Sequence, residues 1–293
     1  MGGVLSDSVA AVSSMAGEAR ELRFTLSDFR RIRELVQQQT GIALNDTKAH
    51  MAYARLGKRV RALGLRRFAE YLDQLVQQPD GDEWQHFINA LTTNLTSFFR
   101  EPHHFDLLRE HAGLHRPPRT YRVWSAATAS GEEAYSIAMT LQEALGGEPG
   151  QRFEVCASDI DTQVLQLATN AIYPLERTEK LPAATLKRHF DKGIGKQRGK
   201  VRIKPALRER VAFYHLNLVA PDWPGLGTFD VIFCRNVLIY FDKPTQAAIL
   251  AHLADHLQDD GLLLLGHSEN ILHLTDAFVP CGRTAYRLAP RSS

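Results

Sequence analysis

The sequence predicts an α/β protein in which a doubly wound parallel sheet follows an N-terminal helical domain and is interrupted by a small inserted antiparallel β-subdomain. From Leu26 to about Asn94 the apolar residues recur at helical spacing. From Tyr121 onwards, apolar runs of strand length alternate with helical stretches, which is typical of a parallel sheet covered on both faces. Residues 172–210 break this alternation, because Lys, Arg and Gly dominate there and the glycines bracket short β-like pieces.

The helical region is predicted to contain four short helices, separated by Gly41, Gly64 and a turn at residues 79–81. Ser27 and Asp46 are the expected N-caps, and both glycines stand where helices end. The strands that follow are expected near residues 121–126, 153–158, 211–215, 229–234 and 261–266, with a terminal pair near 277–280 and 283–288. Ligands of doubly wound sheets bind at the carboxyl edge of such strands, so we expect the functional site there.

Composition and the chain start exclude several classes of protein. Residues 1–22 are rich in Ser, Ala and Gly, so we expect disorder, and they lack the basic start of a secretory signal. Their loose match to a myristoylation pattern is interpreted as chance. The longest apolar runs have strand length, whereas a membrane-spanning helix needs roughly 20 residues. Three scattered cysteines form neither a disulfide framework nor a zinc site, so we expect reduced thiols, no metal and a cytoplasmic location.

Residues 121–136 predict a ligand cradle made of a buried strand, a loop of small residues and the start of a helix. The small side chains before Gly131 allow the backbone to approach a ligand closely, and Ser130 with Glu133 forms a predicted capping box. The next strand delivers Asp159 to the position where Rossmann-like nucleotide binders place the carboxylate that holds ribose hydroxyls. This segment therefore predicts a nucleoside-containing ligand.

The chemistry of the cradle favours a cationic ligand over a pyrophosphate. Gly131 is the only glycine in the loop, whereas a dinucleotide fingerprint has three at fixed offsets. Glu132 and Glu133 would repel phosphate but attract an ammonium or sulfonium group, and S-adenosylmethionine carries both. The alternative is that Glu133 only caps the helix and favours its positive end, and this stretch alone leaves the two interpretations open.

A basic helix is predicted between Gly41 and Arg67. Seven cationic residues and one acid, Asp46, lie in this range, so the local net charge is 7 − 1 = +6. Three of the cations fall within about 40° of one another around the helix: Lys48, Arg55 and Arg59. The apolar positions form a separate face: Leu56, Val60 and Leu63. The stripe suits an acidic partner, either nucleic acid or a carboxylate-rich protein surface, although few aromatic residues are present to stack on single-stranded bases and a merely solvated face is the alternative.

Four segments, in matching order, resemble the CheR family of chemotaxis receptor glutamate methyltransferases. They are residues 92–101 (TTNLTSFFRE), 123–127 with 130–133, 157–161 (ASDID) and 229–242 (FDVIFCRNVLIYFD), and residues 261–270 form a fifth. Thr128-Ala129 and Ala134 are small, conservative departures. The resemblance implies a disordered segment at 1–22, a helical receptor-docking domain at 23–94 and a Rossmann-like S-adenosylmethionine-dependent methyltransferase domain at 95–293, with the inserted β-subdomain at 172–210.

The same resemblance implies transfer of a methyl group from S-adenosylmethionine to glutamate side chains on the helical cytoplasmic region of chemoreceptors, with S-adenosylhomocysteine as product. The implied cofactor contacts are Asn94, Thr96, Arg100, Glu133, Asp159, Asn217, Leu218, Arg235 and Asn236. Arg100 and Tyr240 are expected to align the acceptor carboxylate, although Arg100 is equally suited to the cofactor carboxylate. The implied receptor-docking residues are Lys48, Arg55, Lys58 and Arg59. A peptide at the receptor C-terminus is expected to be tethered near Gly193, Gly195 and Gly199, with an ordinary hairpin as the alternative.

Two other functions remain open at this point. A nucleic acid methyltransferase would share the cradle, but after the fourth strand it normally shows Asn or Asp, two prolines and an aromatic residue, whereas residues 234–240 read CRNVLIY. The second possible function is a scaffold that binds cofactor and receptor without catalysing a reaction. The presence of Arg100, Asn236 and Tyr240 argues against it. We therefore expect a monomeric enzyme that binds no nucleic acid and reaches the membrane only through its receptor.

Overall fold

The computed structural model describes residues 22–114, 119–146 and 152–290. The disorder expected for residues 1–22 lies outside the described residues, apart from Leu22, whose side chain is buried. The chain divides into two compact units, one running to Thr93 and including Tyr240–Asp242, the other comprising Asn94–Ile239 and the residues from Lys243 onwards. No helix among the described residues combines the length and the apolar character needed to cross a membrane.

The first unit contains the four helices that the sequence predicts. They are α1 (Leu26–Thr40), α2 (Ala49–Ala62), α3 (Phe68–Gln77) and α4 (Glu83–Leu91), with a short 3-10 turn at Asp46–Lys48. Tyr53 of α2 stacks on Phe68 of α3 with the ring centroids 5.7 Å apart, and Phe24 packs edge-on against Phe68 at 4.7 Å. These aromatic contacts, together with buried Ile32 and Leu56, form the apolar interior of the unit.

Helix starts in this unit differ from the prediction, whereas helix ends agree with it. Thr25 is the N-cap of α1 and exchanges hydrogen bonds with Asp28, so Ser27 lies inside the helix. Asn45, one residue before the predicted Asp46, precedes the 3-10 turn. The two expected terminal glycines adopt the left-handed conformation: Gly41 (φ 73°) and Gly64 (φ 72°). Spacing alone thus misses these two starts by two residues and by one residue.

The second unit carries the sheet. Its strands are β1 (Tyr121–Ala126), β2 (Phe153–Asp159), β3 (Ile172–Pro174), β4 (Phe190–Lys192), β5 (Lys200–Ile203), β6 (Val211–His215), β7 (Phe229–Cys234), β8 (Leu257–Leu265), β9 (Phe278–Gly282) and β10 (Ala285–Leu288). Its helices are α5 (His103–Gly113), α6 (Glu132–Leu145), α7 (Thr162–Asn170), α8 (Ala183–His189), α9 (Pro205–Arg208) and α10 (Lys243–Asp255). The described strands form a seven-stranded sheet in the order β6-β2-β1-β7-β8-β10-β9 and a separate three-stranded sheet in the order β3-β5-β4.

Strand direction confirms the predicted architecture. β6, β2, β1, β7 and β8 run parallel, and β10 and β9 close the edge antiparallel. The inserted three-stranded sheet is antiparallel throughout, as the glycine-bracketed segment predicts. Val123 joins a core formed with α5 and α6, whereas the neighbouring Trp124 packs against Trp223 at 5.1 Å. Because successive strand residues point to opposite faces, both faces of the sheet are covered.

The strand order places the functional edge. β1 lies between β2 and β7, and its last residue, Ala126, is level with Ser158 of β2 and Cys234 of β7. The chain moves outward on one side of β1 to β2 and returns on the other side at β7, which makes the carboxyl ends of these strands the topological switch point. The loops that follow the three strands therefore share one edge.

Candidate active site

Asp159 anchors the loop after β1 to the end of β2. Its side chain is only 7% exposed, with one carboxylate oxygen accepting the N–H of Ala129 at 2.8 Å and the other that of Asp161 at 2.9 Å. Burial raises the pKa of Asp159 to about 6, and the two backbone N–H groups oppose this rise because they stabilise the ionised form. An ionised carboxylate has about four lone-pair sites, so that of Asp159 can still accept a hydrogen bond from a ribose hydroxyl.

The predicted capping box of Ser130 and Glu133 is wrong. Gly131 is the N-cap of α6, with φ 93° and no side-chain cap bond. Glu133 instead accepts a hydrogen bond from Ser125 at the end of β1, at 2.7 Å, and its other oxygen lies 3.3 Å from Nη1 of Arg235. Burial raises the pKa of Glu133, and Arg235 is the main opposing influence. The interpretation of Glu133 as only a helix cap is therefore excluded, and its carboxylate belongs to the cradle.

Glu132 does not line the cradle with Glu133. Its side chain is fully buried, pairs with Arg177 and accepts a hydrogen bond from Ser130 at 2.7 Å. Arg177 lies in the inserted segment that precedes α8, so this ion pair fastens that segment to the start of α6. Of the two neighbouring acids, Glu132 therefore has a structural role and Glu133 lies in the candidate site.

Arg235 is a nearly fully buried cation at the end of β7, with its side chain 1% exposed. Its Nη2 donates to the carbonyl oxygen of Arg100 at 2.5 Å and lies 3.5 Å from Oε2 of Glu101. Within the described residues, Nε and Nη1 of Arg235 have no hydrogen-bond acceptor, although Glu133 lies close to Nη1. A buried guanidinium with unfilled donors favours an incoming acceptor such as a carboxylate.

Glu269 holds the loop that carries Asn236. Its buried carboxylate accepts the backbone N–H groups of Asn236 and Leu238, each at 2.8 Å, and that of Gly266 at 2.6 Å. Burial raises the pKa of Glu269, and these N–H groups oppose the rise. Asn236 adopts φ 57°, a conformation that residues other than glycine rarely hold without such support. Sequence reasoning missed this role, although Glu269 stands within the fifth family-like segment.

The loop before α5 contributes the remaining polar groups. Asn94 donates to Oδ2 of Asp161 at 2.7 Å, and Arg100 donates to the carbonyl oxygen of Leu95 at 2.9 Å. Thr96 lies half-buried in the same loop. Oε1 of Glu101 accepts from Asn236 at 3.4 Å and lies 3.1 Å from Nδ1 of His267, so this loop also contacts the one after β7.

Backbone strain is concentrated at this edge. Five residues other than glycine have positive φ in the loops before α5, after β1 and after β7: Phe99, Glu101, Ala127, Ala129 and Asn236. Each such residue costs on the order of 1–3 kcal/mol unless its surroundings hold it, and strain of this kind clusters at functional sites. The two alanines supply the left-handed turns for which a dinucleotide fingerprint would use glycine. This explains why the cradle is present without that fingerprint.

Asn217 and Leu218 follow β6 beside Asp159. The N–H of Leu216 donates to the carbonyl oxygen of Asp159 at 3.0 Å, which ties the two strand ends together. The side-chain oxygen of Asn217 accepts the N–H of Val219 at 3.2 Å, and Leu218 is buried. This loop presents an apolar wall and a polar amide next to the predicted ribose site, as adenine recognition requires.

The family models match both units. The model described as "CheR methyltransferase, SAM binding domain" covers residues 94–287, and the one described as "CheR methyltransferase, all-alpha domain" covers residues 27–92. The chain belongs to the CheR methyltransferase family. It is an S-adenosylmethionine-dependent methyltransferase, and the resemblance stated from its sequence motifs is confirmed.

Curated relatives agree with this assignment. The chain is 51% identical to the chemotaxis protein methyltransferase of Escherichia coli over 91% of its own length and 93% of the relative. It is 48% identical to chemotaxis protein methyltransferase 2 of Pseudomonas aeruginosa, over 91% and 95%. A solved structure of PKMT2 from Rickettsia typhi in complex with AdoHcy is 17% identical, with a TM-score of 0.33, and covers 54% of this chain and 23% of that chain.

Tyr240, which the family motif implies as a catalytic residue, is assigned to the helical unit together with Phe241 and Asp242. Its carbonyl oxygen accepts the N–H of Ala43 at 2.8 Å, and Phe241 forms an isolated bridge with Ile42. The alignment role of Tyr240 stays a prediction.

The four residues expected to dock the receptor have different surroundings. Arg55 donates to the carbonyl oxygens of Ala90 and Thr92. Arg59 forms two hydrogen bonds with Glu83, at 3.0 and 2.6 Å. Lys48 and Lys58 are exposed. Leu63, expected on the apolar face of this helix, is 42% exposed because α2 ends before it. Docking stays a prediction, and the two lysines are the cations best placed to serve it.

The three glycines of the predicted tether shape the connection from β4 to β5. Gly195 and Gly199 have φ of 56° and 84°. At Gly193 a Cβ atom would lie 2.0 Å from the carbonyl oxygen of Gln197, so only glycine fits there. Ile194 between them is 85% exposed. The geometry explains why glycine occupies each position, and the tether itself stays a prediction.

Proposed function

We propose that this chain transfers the methyl group of S-adenosylmethionine to glutamate side chains of chemoreceptors, forming methyl esters in chemotactic adaptation. The family and the names of the curated relatives support the reaction class and its setting. The observation that carries the proposal is the pair of half-buried Glu133 and buried Arg235, at the same carboxyl edge of the sheet as buried Asp159. One acid, one cation with unfilled donors and one ribose-type carboxylate suit the ammonium, carboxylate and ribose of the cofactor.

The cofactor contributes an electrophilic methyl group on a sulfonium centre. We assign Asp159 to the ribose hydroxyls, Asn217 and Leu218 to adenine, and Glu133 with Arg235 to the amino acid end. The strained, glycine-poor loop after β1 lets the backbone come close to the ligand, since Ala127 and Ala129 carry only methyl side chains. The remaining implied contacts at this edge are Asn94, Thr96, Arg100 and Asn236.

The acceptor needs no general base. A glutamate carboxylate has an ordinary pKa near 4.3 and is already ionised at neutral pH. Its negative charge and the positive charge of the donor cancel as the methyl group moves, so the chain contributes alignment and desolvation rather than proton transfer. We assign alignment to Arg100 and Tyr240. Full turnover by an Arg100→Ala variant that binds cofactor normally would contradict that role for Arg100.

Two surfaces of the chain are candidates for binding the receptor. We propose docking on the glutamate-rich helical region of the receptor through the exposed face of α2, and capture of a receptor C-terminal peptide by the inserted sheet. The strand order leaves β3 and β4 at the edges of that sheet. Pro174 in β3 lacks an N–H, so β4 is the better template for an added strand. We also propose that the chain acts as a monomer in the cytoplasm, where the receptor glutamates lie.

Incubation with methyl-labelled S-adenosylmethionine and receptor-containing membranes tests the reaction. We expect label on the receptor that base treatment releases as methanol, because esters hydrolyse readily whereas methylated amines survive. A Glu133→Gln variant, matched by an Arg61→Gln variant in the other unit, shows whether the cradle is required. Base-stable label, label on added nucleic acid, or cofactor binding without transfer would each contradict the proposal.

A further inference from the structure

Three metal-ligating side chains gather where α5 begins. Glu101, His103 and His104 each offer one ligand atom, and these atoms all lie within 4.8 Å of one another. His104 is fully buried, whereas Glu101 and His103 are half-buried, so the cluster is open to solvent on one side. None of the three belongs to the cofactor contacts implied by the family motifs.

The hydrogen bonds of His104 define which ring nitrogen carries the proton. The hydroxyl of Thr284 donates to the carbonyl oxygen of Arg283 at 2.7 Å, so it accepts from Nε2 of His104, which lies 2.8 Å away. The proton is therefore on Nε2, and Nδ1 presents a lone pair.

Two acceptor atoms then face each other without a hydrogen bond, although one of them forms an ion pair with Arg235. Nδ1 of His104 lies 3.8 Å from Oε2 of Glu101, and within the described residues neither atom has a hydrogen-bond partner. Leaving buried acceptors unpaired is costly, and a shared cation removes the cost. Neutral imidazole and carboxylate are the ligands that zinc uses together, at about 2.0–2.2 Å. The ligand atoms of such a tetrahedral site are about 3.4 Å apart, so Nδ1 of His104 and Oε2 of Glu101, now 3.8 Å apart, need to approach only slightly.

We propose that Glu101, His103 and His104 bind a divalent transition-metal ion, with Zn²⁺ as the best match, and that the bound ion inhibits the enzyme. Oε2 of Glu101 lies 3.5 Å from Nη2 of Arg235 and cannot serve both cations fully. A metal ion takes this oxygen and repels the guanidinium, which moves the cation that faces Glu133 in the cofactor cradle. The inference reverses the expectation that the chain has no metal site, and it adds regulation to the proposed reaction.

Calorimetric titration of the full chain with Zn²⁺ tests the site without reference to activity. We expect one ion per chain, and binding at least about tenfold weaker in a His103→Ala variant, since even outer partners of metal ligands contribute about 10–100-fold. His273→Ala is the matched control, because His273 is an exposed histidine of the same unit. Titration of S-adenosylhomocysteine with and without Zn²⁺ then measures the coupling, and we expect a weaker affinity in the presence of the ion.

The outcomes separate the site from its effect and from the reaction. No stoichiometric binding, or equal binding by His103→Ala and the parent chain, would overturn the site. Zinc binding that leaves the affinity for S-adenosylhomocysteine unchanged would overturn the coupling. His103→Ala should transfer methyl groups normally without zinc and resist inhibition with it. If the parent chain transfers no methyl group at all, the proposed reaction fails while the metal titration still reports on the site.

Discussion

Glu133 lies between groups that set its charge in opposite directions. Burial raises its pKa, whereas Arg235 and the hydroxyl of Ser125 favour the ionised carboxylate. Burial also raises the pKa of Asp159, at the end of the neighbouring strand, and backbone N–H groups oppose this rise. Half-buried Glu133 and buried Asp159 are thus partly withdrawn from water, at a free-energy cost that a cationic, hydroxyl-bearing ligand would reduce. Carboxylates whose pKa is raised by burial cluster at functional sites, which supports a ligand-binding role for Glu133 and Asp159.

The pH dependence of cofactor binding should report on Asp159. Because ribose hydroxyls donate to the ionised form, we expect affinity for S-adenosylhomocysteine to fall as the pH drops through about 6, by up to about tenfold per pH unit. Calorimetric titration across this range measures the effect. The Asp159→Asn variant should bind S-adenosylhomocysteine weakly, and its affinity should not change with pH. The same slope in that variant would assign the titration to another group. For folding the sign is reversed: the raised pKa favours the folded state below about pH 4, and this contribution is lost as the pH rises through about 6.

Glu269 should support both stability and cofactor affinity. In Glu269→Gln one carboxylate oxygen becomes an amide donor facing backbone N–H groups, so we expect a loss of about 1–3 kcal/mol in the free energy of unfolding. Urea denaturation measures this loss. Release of the strained backbone at Asn236 should also weaken binding of S-adenosylhomocysteine. A stability loss with unchanged affinity would contradict the positioning role, and Glu209→Gln, at an exposed position, is the control.

At the level of elements, the basic helix α2 has both inward and outward cations. Arg55 donates to backbone carbonyl oxygens and Arg59 forms an ion pair with Glu83, all within the helical unit. Tyr71 belongs to the same network, because its buried hydroxyl donates to Glu83 at 3.0 Å, and burial raises the pKa of this hydroxyl well above its ordinary value. A charge stripe read from helical angles therefore overestimates the cations available to a partner. The exposed lysines are the part of the prediction that a partner can reach.

Charge reversal at the exposed lysines should weaken receptor methylation. We expect Lys48→Glu with Lys58→Glu to lower the rate by roughly tenfold at low ionic strength, because attraction to receptor carboxylates becomes repulsion. The difference should shrink with added salt, since exposed charges are screened beyond about 8 Å. Arg61→Glu with Arg66→Glu changes the net charge equally at two exposed positions that are not among the four predicted docking residues. Equal effects of the two double variants would contradict a specific docking face.

Strand β4 offers a sharp test of the peptide tether. The N–H of Gly193 donates to the carbonyl oxygen of Lys200 at 2.9 Å, and the carbonyl oxygen of His189 accepts the backbone N–H of Lys204 at the same distance. Because hydrogen-bonding direction alternates along a strand, the N–H of Lys192 points away from β5. Lys192→Pro removes this donor, so we expect it to abolish binding of receptor C-terminal peptides in calorimetry while Lys192→Ala retains it. Equal heats for both variants, or none with the parent chain, would contradict strand addition at this edge.

At the scale of the whole molecule, the chain separates two tasks. The helical unit carries the predicted docking cations of α2, and the sheet unit carries the cradle with its strained loops. The residues at 240–242 follow directly from the β7 loop in sequence but are assigned to the helical unit. A single family segment, residues 229–242, thus contributes to both units. The expected boundary between residues 94 and 95 stays a prediction, and the structure divides the chain one residue earlier.

Local patterns were sufficient for the element types and for the position of the cradle. Apolar periodicity predicts the four helices of the first unit and the strand bounds of β1, β6 and β7, because burial on one face or two leaves its period in the sequence. Small residues after β1 and the acid at the end of β2 predict the cradle, because a close backbone approach and a ribose-binding carboxylate are both properties of the local sequence. These features depend on neighbours a few residues away.

Only the tertiary structure decided which charges pair. Arg235 meets Glu133 and Glu101, Glu132 meets Arg177, and Glu269 holds the backbone after β7. Each of these contacts joins residues at least 30 positions apart, and the order of the strands sets their distances. The sequence shows which residues carry a charge. The energy of each charge depends on its burial and on its partner, and both arise only when the sheet assembles.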